Sequence, residues 1–346
     1  MWWSGRMIVV HIGLRKAGST SIQDFLLANE ALLRDCGVDY PDVGRLAGNN
    51  HVNLAREIRG LADFDPAAGT IGELARRRRG AEAPTTILSA EAFEEAETDQ
   101  ALRLAELRRA PDEPIRIVLV IRDLVDLTPS SYSQMVKLGV KIHAFDDFFK
   151  KRMRDRRIDY FATARRWAEA FGWESLRVRV LDRRHLRNGD LIDDFLDAAG
   201  IDPDDERVRR LQRPGHSNIG PGWRVVEAIR ALYGERHGLP PAHPLADAAR
   251  HSRPQRKRLG ERAQAVGQRM GWNDERGLYL TRKQARLCLE AYQASIAALN
   301  ERLAVALPEP PNLKQRGFVE RDAAPDASQI DPAQLRAFYD ALTEPR

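Results

Sequence analysis

Short runs of aliphatic and β-branched residues alternate with longer amphipathic segments along the first half of the chain. This alternation constrains the fold more than any other feature. Segments with helical periodicity separate the runs, and this spacing predicts βαβ units and a parallel sheet. Right-handed crossovers then predict an α/β fold with a doubly wound parallel sheet flanked by helices. The runs cover residues 7–12, 38–40, 86–89, 115–121 and 175–181.

The chain changes character at about residue 190, where helical periodicity replaces the alternation. A capping-box pattern at Thr281 and Gln284 predicts the start of a long helix there. Residues 308–331 are rich in Pro, Asp and Ala, as in a loose tail. We therefore predict a single domain over residues 7–305 with a helical second half. Residues 306–346 are expected to form a loose tail that carries a short terminal helix.

Composition excludes several classes of protein. Apolar residues make up 43% of the 346 residues, which is enough for a core, and the net charge is only +5. We expect no nucleic-acid partner, because such proteins concentrate more positive charge. No apolar run approaches the roughly 18 residues of a membrane span. The two cysteines have no metal-ligand spacing and fit a reducing compartment, so we expect a cytoplasmic protein.

The segment after the first predicted strand has the composition of an anion-binding loop. A strand–helix junction directs backbone N–H groups and the positive end of the helix dipole at one point. Gly13 and Gly18 let the backbone turn and approach a ligand closely. An ordinary βα loop is the alternative. We expect the anion to be bound by consecutive loop residues: Arg15, Lys16, Ala17, Gly18, Ser19, Thr20 and Ser21.

The glycine spacing of this loop is that of a Walker A motif, but the lysine stands elsewhere. The motif is G-x-x-x-x-G-K-[ST], whereas Ser19 follows Gly18 here and Lys16 precedes it by two residues. A Walker lysine reaches the outer phosphates of a triphosphate. A lysine inside the loop suits a shorter anion, so a P-loop kinase or NTPase is the less favoured alternative. A non-catalytic nucleotide-binding or partner-binding protein is the other.

Residues 11–26 (H-I-G-L-R-K-A-G-S-T-S-I-Q-D-F-L) resemble a loop of known enzymes. They are similar to the 5′-phosphosulfate-binding loop of sulfotransferases that use 3′-phosphoadenosine 5′-phosphosulfate (PAPS), above all the bacterial and carbohydrate-type members. Their loop runs K-[TA]-G-[TS]-[TS]-[ST]-[IL]-Q. The resemblance implies a P-loop NTPase-like sulfotransferase fold. It also implies PAPS as cofactor, 3′-phosphoadenosine 5′-phosphate (PAP) as product, no metal, and a small-molecule or glycan acceptor.

Two further segments extend the resemblance. Arg122 follows the apolar run 115–121, and Ser130 lies eight positions on, as in the family's 3′-phosphate motif. Leu124 stands where that motif has proline, and Pro129 before Ser130 is unusual. An arginine fork at the carboxyl end of a strand is well placed to hold a phosphate. Residues 213–220 (R-P-G-H-S-N-I-G) loosely resemble the loop that covers the nucleotide, which suggests Arg213 and Asn218 as ligands; a plain connector is the alternative.

Transfer of a sulfuryl group to a hydroxyl needs a cation at the leaving oxygen and a base for the acceptor proton. Lys16 is the candidate cation. His51, at the start of a predicted helix, and Glu91, just after a predicted strand, are the candidate bases. A helix N-terminus keeps imidazole neutral, as a base requires. A capping histidine and a first-turn acid are the structural alternatives. His11, inside the first strand, is expected to be a packed core residue. No residue identifies the acceptor.

Overall fold

The computed structural model describes residues 6–46, 49–140, 143–155, 158–213, 220–234, 237–273 and 279–344. Two compact units divide the chain. The first consists of Met1–Asp123, Arg156–Gly215 and Ala291–Pro310. The second consists of Leu124–Asp155, His216–Glu290 and Pro311–Arg346. The domain boundaries drawn from the sequence, 7–305 and 306–346, stay a prediction.

The first unit is built on a parallel sheet of five strands in the order β2-β3-β1-β4-β5. All five predicted strands are present, which confirms a parallel sheet in an α/β fold. Every residue of β1 and β3 is buried, as expected for strands covered on both faces. The strands are β1 (Met7–His11), β2 (Val38–Asp39), β3 (Thr85–Ser89), β4 (Ile115–Ile121) and β5 (Leu176–Val180).

The strand order separates the connections that follow two neighbouring strands. β1 pairs with β4, yet the chain goes from β1 to β2 on one side of the sheet and from β4 to β5 on the other. Ligands of open α/β sheets bind at the carboxyl ends of strands where connections diverge in this way. The segments that follow His11 and Ile121 therefore border the expected ligand site.

The described residues also form fourteen α-helices. Near the sheet, α8 and α9 pack against β4 and β5, and α1 packs against α9. The helices are α1 (Ser19–Ala28), α2 (Glu30–Asp35), α3 (Val52–Ile58), α4 (Ile71–Gly80), α5 (Thr98–Leu102), α6 (Leu124–Lys137), α7 (Phe145–Arg152), α8 (Tyr160–Phe171), α9 (Leu191–Ala199), α10 (Glu206–Arg209), α11 (Trp223–Tyr233), α12 (Arg253–Arg269), α13 (Arg282–Asn300) and α14 (Pro332–Ala341). Short 3₁₀ turns add Pro66–Ala68, Glu91–Glu95, Arg103–Leu107, Trp173–Ser175, Arg187–Gly189, Ala248–Arg250 and Ala327–Gln329.

One predicted helix is interrupted. Apolar spacing predicts a single helix from Ser19 to just before Gly37, but α1 and α2 meet at Asn29. The Asn29 side chain is buried and bonds the carbonyl of Phe25 and both backbone polar groups of Gln212. A short polar side chain that bonds backbone groups competes with helix continuation, which explains the break.

The second unit is helical. α11 packs against α6 and α12. The predicted capping box at Thr281 and Gln284 is formed, with both reciprocal hydrogen bonds present. The terminal helix α14 buries Phe338 and Tyr339. No helix among the described residues is both long enough and apolar enough to cross a membrane.

Candidate functional site

The loop between β1 and α1 has a backbone that only particular residues tolerate. Gly18 has φ of 88°, and a Cβ there would lie 2.3 Å from the Leu191 side chain. Lys16 also has positive φ, 68°, which is uncommon for a residue with a side chain. The Ser19 hydroxyl donates to the carbonyl of Leu14 at 3.2 Å and closes the loop. Strained conformations of this kind concentrate at ligand sites.

The start of α1 offers backbone donors to an anion. Gly18 is the N-cap and has no side chain to cap the helix, and the first turn contains no acidic residue. The first N–H groups of a helix lack intrahelical partners and attract anions. The predicted anion-binding residues differ in exposure: Ala17 and Ser19 are buried, Lys16, Gly18 and Ser21 are half-buried, and Arg15 and Thr20 are exposed.

Arg122 lies against this loop. It follows β4 directly, and its guanidinium donates to the backbone carbonyl of Lys16 at 3.1 Å. The Tyr160 hydroxyl donates to the Arg122 carbonyl at 2.6 Å and holds the backbone of the strand end. The divergent connections after β1 and β4 therefore meet through a hydrogen bond between two residues that the sequence predicted for the site.

Other predicted phosphate ligands are placed as follows. Ser130 is half-buried on α6, in the second unit. Arg213 pairs with Asp193 at 2.6 Å, and its guanidinium lies over the Phe25 ring. These contacts fix Arg213 against α9 and α1 within the first unit. Asn218 lies outside the described residues, so its predicted role stays a prediction.

Glu91 adjoins the anion loop. It begins a 3₁₀ turn two residues after β3 ends. Burial raises the pKa of its carboxyl group, while the charges of Arg15 and Lys16 and a hydrogen bond with Ser19 act in the opposite direction. A carboxylate with a raised pKa beside a lysine is a candidate general base.

His51 is engaged on both sides of its ring. It is fully buried, its Nδ1 accepts the backbone N–H of Ser89 at 3.1 Å, and its Nε2 lies 2.8 Å from the Pro41 carbonyl. A backbone N–H can only donate, so the ring proton must be on Nε2. Burial lowers the pKa of His51 to about 4. Both ring nitrogens are engaged with backbone groups in this arrangement, which favours Glu91 over His51; the role of His51 as a base stays a prediction.

A buried polar cluster beneath the loop was missed by the sequence analysis. His11 and Ser89 are register partners at the ends of β1 and β3. His11 Nδ1 lies 2.8 Å from Ser89 Oγ, which also accepts the Gln23 amide at 3.1 Å. His11 is fully buried as expected, but it belongs to a polar network rather than to the apolar core. The signal was a polar residue at the last position of two buried strands.

The second unit contains a cavity of about 640 Å³. Its wall includes Arg230, which pairs with buried Glu227 at 2.6 Å. Burial raises the pKa of Glu227, which also accepts the Tyr132 hydroxyl at 3.2 Å. None of the predicted site residues that the structure describes lines this cavity. Among the described residues, no group of three or more His, Cys, Asp or Glu side chains could hold a metal ion.

Comparisons with known proteins do not assign the chain to a family. No protein-family profile matches the chain, and no curated protein is significantly similar to it. Among solved structures, the crystal structure of a sulfotransferase from Alicyclobacillus acidocaldarius matches with 16% identity and a TM-score of 0.37. The match covers 58% of this chain and 83% of that one. We draw no conclusion about this chain from similarity at that level.

Proposed function

We propose that the chain is a PAPS-dependent sulfotransferase that transfers a sulfuryl group to an acceptor hydroxyl. One observation carries the proposal: Lys16, Arg122 and Glu91 converge on a glycine-bounded loop that opens a helix. A cation, a phosphate-binding fork and a carboxylate with a raised pKa are the groups that this chemistry requires.

The loop fits the 5′ end of such a nucleotide. Its two glycines stand where a Cβ would collide with the His11 or the Leu191 side chain, so this loop backbone requires glycine at both positions. The uncapped start of α1 supplies backbone N–H donors. Lys16 supplies positive charge from inside the loop rather than after it. That position suits a phosphosulfate better than a triphosphate, which is why we prefer this function to that of a P-loop kinase.

The residues of the chain have separable roles in this proposal. PAPS supplies the sulfuryl group. Lys16 stabilises the negative charge that develops on the leaving phosphate oxygen. Glu91 accepts the acceptor's hydroxyl proton on a carboxylate oxygen. Both side chains belong to the first unit.

Arg122 is proposed to bind the 3′-phosphate. Its bond to the Lys16 carbonyl uses one of the five N–H donors of the guanidinium, and a phosphate can take others bidentately. The role of Ser130 is proposed from the sequence spacing alone. We propose a carbohydrate or another small hydroxyl compound as acceptor, on the resemblance of the loop to the carbohydrate-type enzymes.

Thermal unfolding with PAP, ATP or GTP tests the proposal, because a ligand of the native state raises Tm. We expect PAP to raise Tm without Mg²⁺ and ATP or GTP to have a smaller effect. A shift with ATP and Mg²⁺ alone would favour a kinase or NTPase. Transfer of labelled sulfate from PAPS to glycans, glycolipids and small alcohols then tests catalysis. PAP binding without transfer to any acceptor would favour a non-catalytic nucleotide-binding protein.

A further inference from the structure

His11 stands at the base of the anion loop with one ring nitrogen unsatisfied. It ends β1, is fully buried and packs edge to face against Phe195 with ring centroids 5.4 Å apart. Its Nδ1 bonds Ser89 Oγ at 2.8 Å. Its Nε2 has no hydrogen-bond partner among the residues that the structure describes. Buried polar groups without partners are rare in folded proteins, and each requires an explanation.

The hydrogen bonds of Ser89 indicate which nitrogen carries the proton. Ser89 Oγ accepts from the Gln23 amide at 3.1 Å and has a single proton to donate. If that proton goes to His11 Nδ1, the Gln23 amide N–H, the Ser89 hydroxyl and His11 Nδ1 all have hydrogen-bond partners. The ring proton is then on Nε2. The opposite tautomer would leave the Ser89 hydroxyl proton without an acceptor in this cluster. Burial lowers the pKa of His11 to about 3, so the ring is neutral.

The unsatisfied nitrogen faces the loop. A Cβ built on Gly13 would lie 2.2 Å from His11 Nε2 and 3.0 Å from Ser19 Oγ. The imidazole Nε2 and the Ser19 oxygen therefore lie on the same side of Gly13. They lie beside the start of α1, which has no capping side chain. The unsatisfied imidazole N–H and the helix N-terminus, directed at one small region, are complementary to an oxyanion.

We propose that His11 is a further anion-binding residue, whose Nε2–H donates a hydrogen bond to an oxygen of the oxyanion held by residues 13–21. A neutral donor keeps this contribution constant across the physiological pH range, unlike an imidazolium ion. The inference rests on the proposed function for the identity of the anion, the 5′-phosphate or phosphosulfate end of the nucleotide. It does not require that sulfuryl transfer take place.

Two substitutions distinguish the roles of the two ring nitrogens of His11. His11→Asn keeps a polar group near the place of Nδ1 for Ser89 and removes the Nε2 donor. His11→Gln can place an amide N–H near Nε2. Calorimetry is carried out on both variants with PAP, which carries a 5′-phosphate, and with adenosine 3′-monophosphate, which does not. Circular dichroism and Tm show whether each variant is folded.

We expect His11→Asn to weaken PAP binding about tenfold or more, as for loss of a hydrogen bond to a charged group. Affinity for the 3′-monophosphate should change less than about twofold, and His11→Gln should recover part of the loss. A folded His11→Asn variant that binds PAP like the wild type, or weakens both nucleotides equally, overturns the inference. A wild type that does not bind PAP overturns the proposed function instead. The Tm of the wild type and of the same variants is then measured with added inorganic sulfate or pyrophosphate. If these anions shift the Tm of the wild type and of His11→Asn equally, or shift neither, the inference is overturned.

Discussion

The Arg122 guanidinium donates a hydrogen bond of 3.1 Å to the backbone carbonyl of Lys16. Lys16 is held at φ of 68°, in the left-handed region. Such a conformation costs on the order of 1–3 kcal/mol in a residue with a side chain and persists only where surrounding contacts maintain it. Arg122 supplies one of those contacts. A residue proposed for the 3′-phosphate thus also supports the backbone of the residue proposed for the sulfuryl end.

This bond predicts that Arg122→Ala weakens binding at both ends of the nucleotide. PAP affinity should fall more than in Ser130→Ala, because charged hydrogen bonds contribute about 1.5–3 kcal/mol and neutral ones about 1. Affinity for adenosine 5′-monophosphate, which lacks the 3′-phosphate, should fall as well. Calorimetry with both nucleotides measures the two effects. Unchanged affinity for adenosine 5′-monophosphate would mean that Arg122 contributes only to binding of the 3′-phosphate.

Lys16→Ala is expected to lower turnover by about 10²–10³ while the fold persists, because a transition-state charge contact is lost. Its half-buried place in a loop predicts little loss of stability. Steady-state rates with PAPS and Tm are the measurements. Arg79→Ala removes an exposed positive charge from α4 and is the matched control, with near-normal turnover expected. Near-normal turnover in Lys16→Ala would remove Lys16 from the mechanism.

Much of the fold could be predicted because it depends on local pattern. Strands of a parallel sheet are rich in aliphatic and β-branched residues, and each of the five runs of such residues contains a strand. The strand order could not be predicted, since it depends on which edges pair over long separations. The break at Asn29 was also missed, because its cause is a contact with Gln212, far away in the chain.

The candidate site was predicted only where a motif carries backbone geometry. The loop 13–21 follows from its glycines and its position between a strand and a helix. The roles of the histidines depend on partners that a sequence does not show. The hydrogen bonds of His51 to Ser89 and Pro41, which engage both ring nitrogens, could not be read from the sequence. His11 belongs to the cluster because the register pairs it with Ser89.

Glu91→Gln tests the base. Turnover should fall by about 10²–10⁴, with PAP affinity retained. In the wild type the rate should rise with pH through the Glu91 pKa, because only the ionised carboxylate accepts a proton. Burial places that pKa above the ordinary value of about 4.3. This rise in rate with pH should be absent in Glu91→Gln and present in a folded His51→Gln variant. The reverse result would return the role to His51.

The same substitution should stabilise the protein. Burial raises the pKa of Glu91, so the folded state disfavours the ionised form. The contribution of protonated Glu91 to the free energy of unfolding is fully present below the ordinary glutamate pKa. It is lost as the pH rises through the pKa of Glu91 in the folded state. At neutral pH we therefore expect a higher Tm in Glu91→Gln than in the wild type. A lower Tm would mean that contacts with Ser19 and Lys16 outweigh burial.

Gly13→Ala should disrupt the loop through His11. The new Cβ would meet the imidazole at 2.2 Å, and the ring is fixed by Ser89 and Phe195. We expect loss of stability and weaker PAP binding. In the His11→Ala background the additional cost to stability should shrink, with a coupling energy of about 0.5–3 kcal/mol, as for residues in contact. Gly80→Ala is the control, because a Cβ there meets no described atom within 4 Å. Additive effects of Gly13→Ala and His11→Ala would contradict the steric explanation.

Two buried neutral histidines predict a specific loss of stability in acid. Burial lowers the pKa of His11 to about 3 and of His51 to about 4, from 6.5. Below about pH 6.5 the unfolded chain takes up protons that the folded chain does not, so stability falls as the pH is lowered toward these folded values. Each histidine should contribute about 1.4 kcal/mol per pH unit to the slope of the unfolding free energy, measured in urea between about pH 6 and 4.5. His51→Gln should reduce the slope by about that amount. An unchanged slope in a folded His51→Gln variant would mean that His51 takes up a proton in the native state and is not held neutral between Ser89 and Pro41.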